Sequence, residues 1–191
     1  MRRDKKKYTF KLMLLISFIA GLSALSIPAF AQKQTIKSQR FNDWHYRCVE
    51  KVISKKKKDK RCEVMQVAQT KQGGKVINLL TISFSKLKGK KNRKKTIITI
   101  LAPLNVFLPT GMTLGSDKGK ASSLKYRNCN QAGCWVQHLA NRKILKQLKG
   151  GKKGIAKMRL INGQNLNISF SLKGLGPAIK AMESGKPPKG A

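Results

Sequence analysis

The chain predicts an all-β fold, a single antiparallel sandwich carrying two short helices, and three observations predict it. Apolar and polar residues alternate with a period of two in several separate runs, which gives each run one buried and one wet face. Glycine, proline and asparagine divide those runs into about nine short strands spaced roughly 8 to 12 residues apart. Four cysteines, Cys48, Cys62, Cys129 and Cys134, lie in the same stretch, an even count suited to stapling an exported domain.

The first 31 residues take no part in this pattern. Arg2, Arg3, Lys5, Lys6 and Lys7 precede an apolar run over 12–27, which Pro28 breaks and Ala29, Phe30 and Ala31 close. A basic lead, an apolar run and small residues at a peptidase site make a cleavable export signal. The run falls short of the roughly 20 apolar residues of a stable membrane span. Cleavage after Ala31 would start the mature chain at Gln32, with an uncleaved anchor as the alternative. A lead over 32–40 precedes the domain at 41–184, and residues 185–191, with Pro187 and Pro188, read as a flexible tail.

Within the domain, strands are expected at 44–49, 62–69 and 80–85, where Leu80, Ile82 and Phe84 alternate with Thr81, Ser83 and Ser85. The more continuously apolar 96–101 suits a central strand, and 112–116, 122–129 and 134–138 follow. Alternation returns at 156–160 and 166–172, with Asn162-Gly163 between them, the strongest short hairpin signal. One helix is expected over 139–148, where Ile144, Leu145 and Leu148 share a side and Gly150-Gly151 ends it. Another carries Leu175, Ile179 and Met182 at helical spacing, with Pro177 in its first turn.

Four cysteines allow three connectivities, and proximity in sequence favours Cys48 with Cys62 and Cys129 with Cys134. Their spacings contain no C-x-x-C pair, and His45 and His138 complete no zinc-finger pattern, so neither a metal site nor a cofactor is expected.

Forty-two Lys and Arg against seven Asp and Glu give a formal charge of +35. Removing the signal leaves 36 basic and six acidic residues, or +30 on 160 residues, so the charge belongs to the mature domain. It concentrates in two clusters. Lys51, Lys55, Lys56, Lys57, Lys58, Lys60 and Arg61 fill a loop between Cys48 and Cys62, and Lys86, Lys88, Lys90, Lys91, Arg93, Lys94 and Lys95 crowd a hairpin tip. Solvated loops that keep a protein soluble are the plain account of any one cluster. A whole domain at +30 repels itself and gains from an anionic surface. Export removes nucleic acid as a natural partner, and aromatic residues, 6% of the chain, are absent from both clusters. Lys acts as a hydrated point charge rather than a bidentate fork, which suits diffuse attraction to anionic cell-surface glycans or lipids and peripheral membrane association.

Catalytic signals are sparse. The mature acids, Asp43, Glu50, Asp59, Glu63, Asp117 and Glu183, show no repeated spacing, and no G-x-S-x-G, H-E-x-x-H or P-loop occurs. No catalytic residue is assigned. An enzyme acting on an envelope polymer would need Asp43, His45 and Glu63 to converge.

Read together, the segments Phe41-Asn42-Asp43-Trp44 with Cys48, then Cys62-Glu63-Val64-Met65-Gln66, resemble the opening of the invasion-associated locus B proteins. Residues 101–104 and 108–114, the Cys129 and Cys134 pair and the ending Ser169-Phe170-Ser171-Leu172-Lys173-Gly174 are similar to the same family. The resemblance spans about 41–182. It implies an immunoglobulin-like sandwich, two local disulfides at the matching cysteines, and an envelope or secreted bacterial protein tied in some members to entry into erythrocytes. It brings no catalytic site. Trp44 is expected to anchor the core against the Cys48–Cys62 bridge. The expected function is non-enzymatic attachment to or entry into host cells through the Lys-rich surface. A periplasmic factor on the bacterium's own anionic lipid or lipopolysaccharide is the alternative.

Overall fold

A computed structural model describes residues 34–54, 57–88 and 94–186. The predicted export signal, Lys55 and Lys56, residues 89–93 and the tail from 187 lie outside the described residues. In chain order the elements are β1 (Gln34–Phe41), β2 (Trp44–Ser54), β3 (Lys57–Gln72), β4 (Lys75–Lys88), β5 (Lys94–Ala102), β6 (Met112–Ser116), β7 (Ser122–Leu124), β8 (Tyr126–Asn130), β9 (Gly133–Leu139), α1 (Arg142–Gly150), β10 (Lys153–Arg159), β11 (Asn165–Ser171) and α2 (Leu175–Ser184).

The strands form two antiparallel sheets. One has seven strands in the order β1-β2-β3-β4-β5-β9-β8, and the other has four in the order β11-β10-β6-β7. Alternation does what the sequence predicts: Trp44, Tyr46, Val64, Leu80, Ile82, Phe84, Ile98, Ile100 and Val136 turn inward from the large sheet. Met112, Leu114, Ala156, Met158, Ile168 and Phe170 turn inward from the small one. Leu175, Ala178, Ile179 and Met182 of α2 join the same core. Each Val, Leu, Ile, Phe or Met side chain among them that is fully removed from water contributes about 1.5–3 kcal/mol. The Asn162-Gly163 turn joins β10 to β11, with Gly163 at φ +84°.

Several expectations need correction. The stretch before residue 41 is a strand: β1 pairs along its whole length with β2. Residues 122–129 are two strands, because Leu124 turns into the small-sheet core while Tyr126 pairs with Val136 in the large sheet. The first helix begins at Arg142, since Leu139 ends β9 and the Asn141 side chain caps the helix by accepting from the Ile144 N–H at 2.9 Å. Trp44 is fully buried, as expected of a core anchor. Its partners, however, are the Phe84 ring at 5.6 Å and the Ser171 carbonyl, to which the indole N–H donates at 3.1 Å. Tyr46 is the residue that reaches the bridge, its hydroxyl donating to Cys48 Sγ at 2.8 Å.

Candidate anionic-surface site

In an antiparallel meander successive connections leave opposite ends of the sheet. The β2–β3 and β4–β5 connections therefore share an end, and the Gly73-Gly74 turn between β3 and β4 lies at the other. Those two connections carry the two Lys-rich clusters, so strand order alone brings them to one end of one sheet.

The stretch between Cys48 and Cys62 is not the loop the sequence predicts. Pairing continues past the bridge through Glu50↔Lys60, Lys51↔Asp59 and Val52↔Lys58 to Ser54↔Lys57, with an irregularity between Val52 and Ser54, so β2 and β3 extend as an arm that β1 flanks as far as Gln34↔Lys51 and that is two-stranded beyond it. Cys48 and Cys62 face each other in register at its root, with Cα atoms 4.0 Å apart, and Cys129 and Cys134 are an equivalent pair between β8 and β9. β3 starts to pair with β4 at Glu63↔Ser85, on the sheet side of the bridge. The arm therefore runs clear of β4, leaving a cleft of about 670 Å³ between them that Arg47, Lys60, Arg61 and Lys86 line together with Asp59 and Glu63.

The cations of this end are differently occupied. Lys58 pairs with Glu50 at 3.1 Å and Arg61 with Asp59 at 2.9 Å, while Arg47, which the sequence reading did not single out, binds Glu63 at 2.7 Å. The hydrogen bond and charge of Lys58 hold the Glu50 carboxyl below its ordinary range. Exposed pairs of this kind contribute only about 0–1 kcal/mol each. Lys60 and Lys86 instead donate to carbonyls at the end of α2, Lys60 to Gly185 at 2.5 Å and Lys86 to Glu183 at 2.6 Å. Unsatisfied carbonyls and the negative pole of the helix dipole favour cations there. Lys51 and Lys95 are exposed, Lys57, Lys88 and Lys94 lie in strands, and Lys55, Lys56, Lys90, Lys91 and Arg93 fall outside the described residues. The signal that would have found Arg47 is its place opposite Glu63 once the bridge sets the register.

The three groups weighed for catalysis are divided. Asp43 and His45 border a depression with Arg40, Gln69, Ser169 and Ser171, whereas Glu63 lies in the cleft beside the arm. Among the described residues no three His, Cys, Asp or Glu side chains gather as a metal site requires.

The family model described as invasion associated locus B (IalB) protein matches residues 44–183. The chain belongs to the IalB family. The IalB match runs from β2 to α2 and takes in the arm, both disulfides and the second sheet, leaving β1 outside. Among solved structures, invasion associated protein B from Bartonella henselae is similar, with a TM-score of 0.62 and 18% identity over 78% of this chain and 96% of that one. At that identity the likeness is one of fold, and it agrees with the sandwich described above. No curated protein sequence matches the chain.

Proposed function

We propose that this IalB-family protein is exported and, without catalysis, holds anionic groups on a host cell surface, erythrocytes included, through the Lys-rich end of its seven-stranded sheet. The observation that supports this most is the convergence of two clusters, distant in sequence, on the two connections that share an end of the sheet. A disulfide at the root of the arm limits the entropy the arm loses on binding. Exposed lysines then raise encounter and retention by long-range attraction.

The test is binding of the oxidised chain 32–191 to erythrocytes and to an acidic glycan at low and high salt. Binding is expected to fall steeply with salt, because exposed charges are screened beyond roughly 8–10 Å at physiological ionic strength. A variant carrying Lys51→Gln, Lys55→Gln, Lys56→Gln, Lys90→Gln and Lys91→Gln, which leaves the three ion pairs intact, is expected to bind less at every salt concentration. Binding indifferent to salt overturns the electrostatic mechanism. Full protection of the protein from protease added to intact bacteria overturns the host-facing placement and leaves the periplasmic alternative.

A further inference from the structure

The opposite layer of the sandwich carries a second surface with different chemistry. Four large apolar side chains left in water lie on two neighbouring segments: Leu104 (47% exposed), Phe107 (40%) and Leu108 (48%) between β5 and β6, and Ile161 (67%) in the β10–β11 turn. The fold laces those segments together. Val106 bridges Leu160, the Ile161 N–H donates to the Asn105 carbonyl at 2.9 Å, and the Phe107 N–H donates to the Arg159 carbonyl at 2.8 Å. Pro109 stiffens the tip inside a single 3-10 turn at Leu108–Thr110.

Cations flank this apolar tip. Along β10 Gly154 and the side chains of Ala156 and Met158 face inward, so Lys153, half-buried Ile155, Lys157 and Arg159 lie on the opposite face. The Arg159 guanidinium lies 5.9 Å from the Phe107 ring centroid, tying the charged column to the apolar tip. Lys157 and Arg159 stand opposite Asn167 and Asn165 in register, and with Thr110 and Thr113 they line a depression of about 450 Å³. None of β6, β7, β10 and β11 contains an acidic residue, nor do the two connecting segments 103–111 and 160–164. The Lys-rich arm differs here, since its own acids are already paired with its cations.

We propose that this end of the four-stranded sheet docks on an anionic phospholipid bilayer, with Leu108 and Ile161 entering between the headgroups and Lys157 and Arg159 meeting lipid phosphates. Single exposed apolar side chains need no explanation, but four on two joined segments beside unpaired cations match a surface that is negative outside and hydrocarbon beneath. A saccharide would use the amides and the cations and leave Leu108 and Ile161 in water. Among the described residues no helix is long and apolar enough to cross a membrane, so the contact is peripheral.

Co-sedimentation of the oxidised chain 32–191 with phosphatidylcholine vesicles, with and without phosphatidylglycerol, tests this. Binding is expected only where phosphatidylglycerol is present. The double variant Leu108→Ser, Ile161→Ser is expected to weaken it about tenfold or more, as is Lys157→Gln, Arg159→Gln. Both should leave acidic-glycan binding at the Lys-rich end unchanged. In Ile161→Trp, the added fluorescence is expected to shift to the blue on binding and to be quenched by brominated acyl chains. That second readout decides the matter if the serine variant melts early. Three results overturn the docking: no vesicle binding by the parent chain, full binding by a folded double serine variant with an unquenched Ile161→Trp, or loss of vesicle binding on neutralising Lys51, Lys55 and Lys56 alone. Because the two surfaces are separate, either assignment can fail without the other.

Discussion

Tyr126 shows how far a single residue departs from its sequence. Its hydroxyl is buried without a hydrogen-bond partner, and desolvation pushes its pKa up to about 12. Tyr46 is raised as well, again by burial. A raised folded-state value means the neutral phenol is favoured: the stabilisation is fully present below pH ~10, the unfolded value, and is lost as pH climbs toward 12. In a chain starting at Gln32 these are the only two tyrosines. Tyrosinate absorbance should therefore lag an ordinary tyrosine titration and rise together with unfolding, and a normal titration in the folded protein would contradict the burial described. Gly174 is the complementary case. It opens α2 at φ +88°, and a Cβ there would stand 2.0 Å from the Phe41 carbonyl oxygen. Gly174→Ala should cost about 2–3 kcal/mol in urea unfolding, combining strain with a backbone clash. The family-like segment from Phe41 to Cys48 pointed to Trp44 as a core residue. It could not supply Phe84 and Ser171 as partners, which come from strands distant in the chain.

At the level of elements, local chemistry was legible where a segment carries its own signal. The Asn162-Gly163 hairpin, the alternating strands and the helix holding Leu175, Ile179 and Met182 were read from their own residues. Asn141 is equally local: its side chain accepts from the Ile144 N–H, so Asn141→Ala should lower stability by about 1 kcal/mol, measurable as an earlier denaturant midpoint at unchanged slope. β1 escaped notice because from Thr35 to Arg40 its side chains are exposed or half-exposed and burial comes only at Phe41, so no alternation marks it. The 122–129 run escaped because a change of sheet between Leu124 and Tyr126 leaves the apolar pattern intact. The arm depends on pairing rather than pattern, since its β3 side, from Lys57 to Arg61, is entirely charged. Removing the Cys48–Cys62 bridge by a double Ala substitution should cost roughly 3 kcal/mol in the chain-entropy account. Amide exchange should quicken first between residues 49 and 61, and protection there equal to that of the native protein would show that the arm does not need its root bridge.

For the whole molecule the governing quantity is the formal +30 carried by residues 32–191. Self-repulsion on that scale opposes compaction, and salt screens it, so the melting temperature of the oxidised chain 32–191 should rise with ionic strength. Binding to an acidic glycan should fall over the same range. Opposite slopes from one protein separate intramolecular repulsion from intermolecular attraction, and a melting temperature indifferent to salt would mean the charges are already neutralised within the fold. Period, composition and short spacing are enough to set the class of fold, the core-facing residues of most strands, the cysteine pairs close in the chain and the family. The packed fold was needed to learn which end of the sheet gathers the lysines, which cations are already paired, and that an apolar tip sits beside Arg159. Those depend on strand order and register, contacts between residues far apart in the chain that no local pattern encodes.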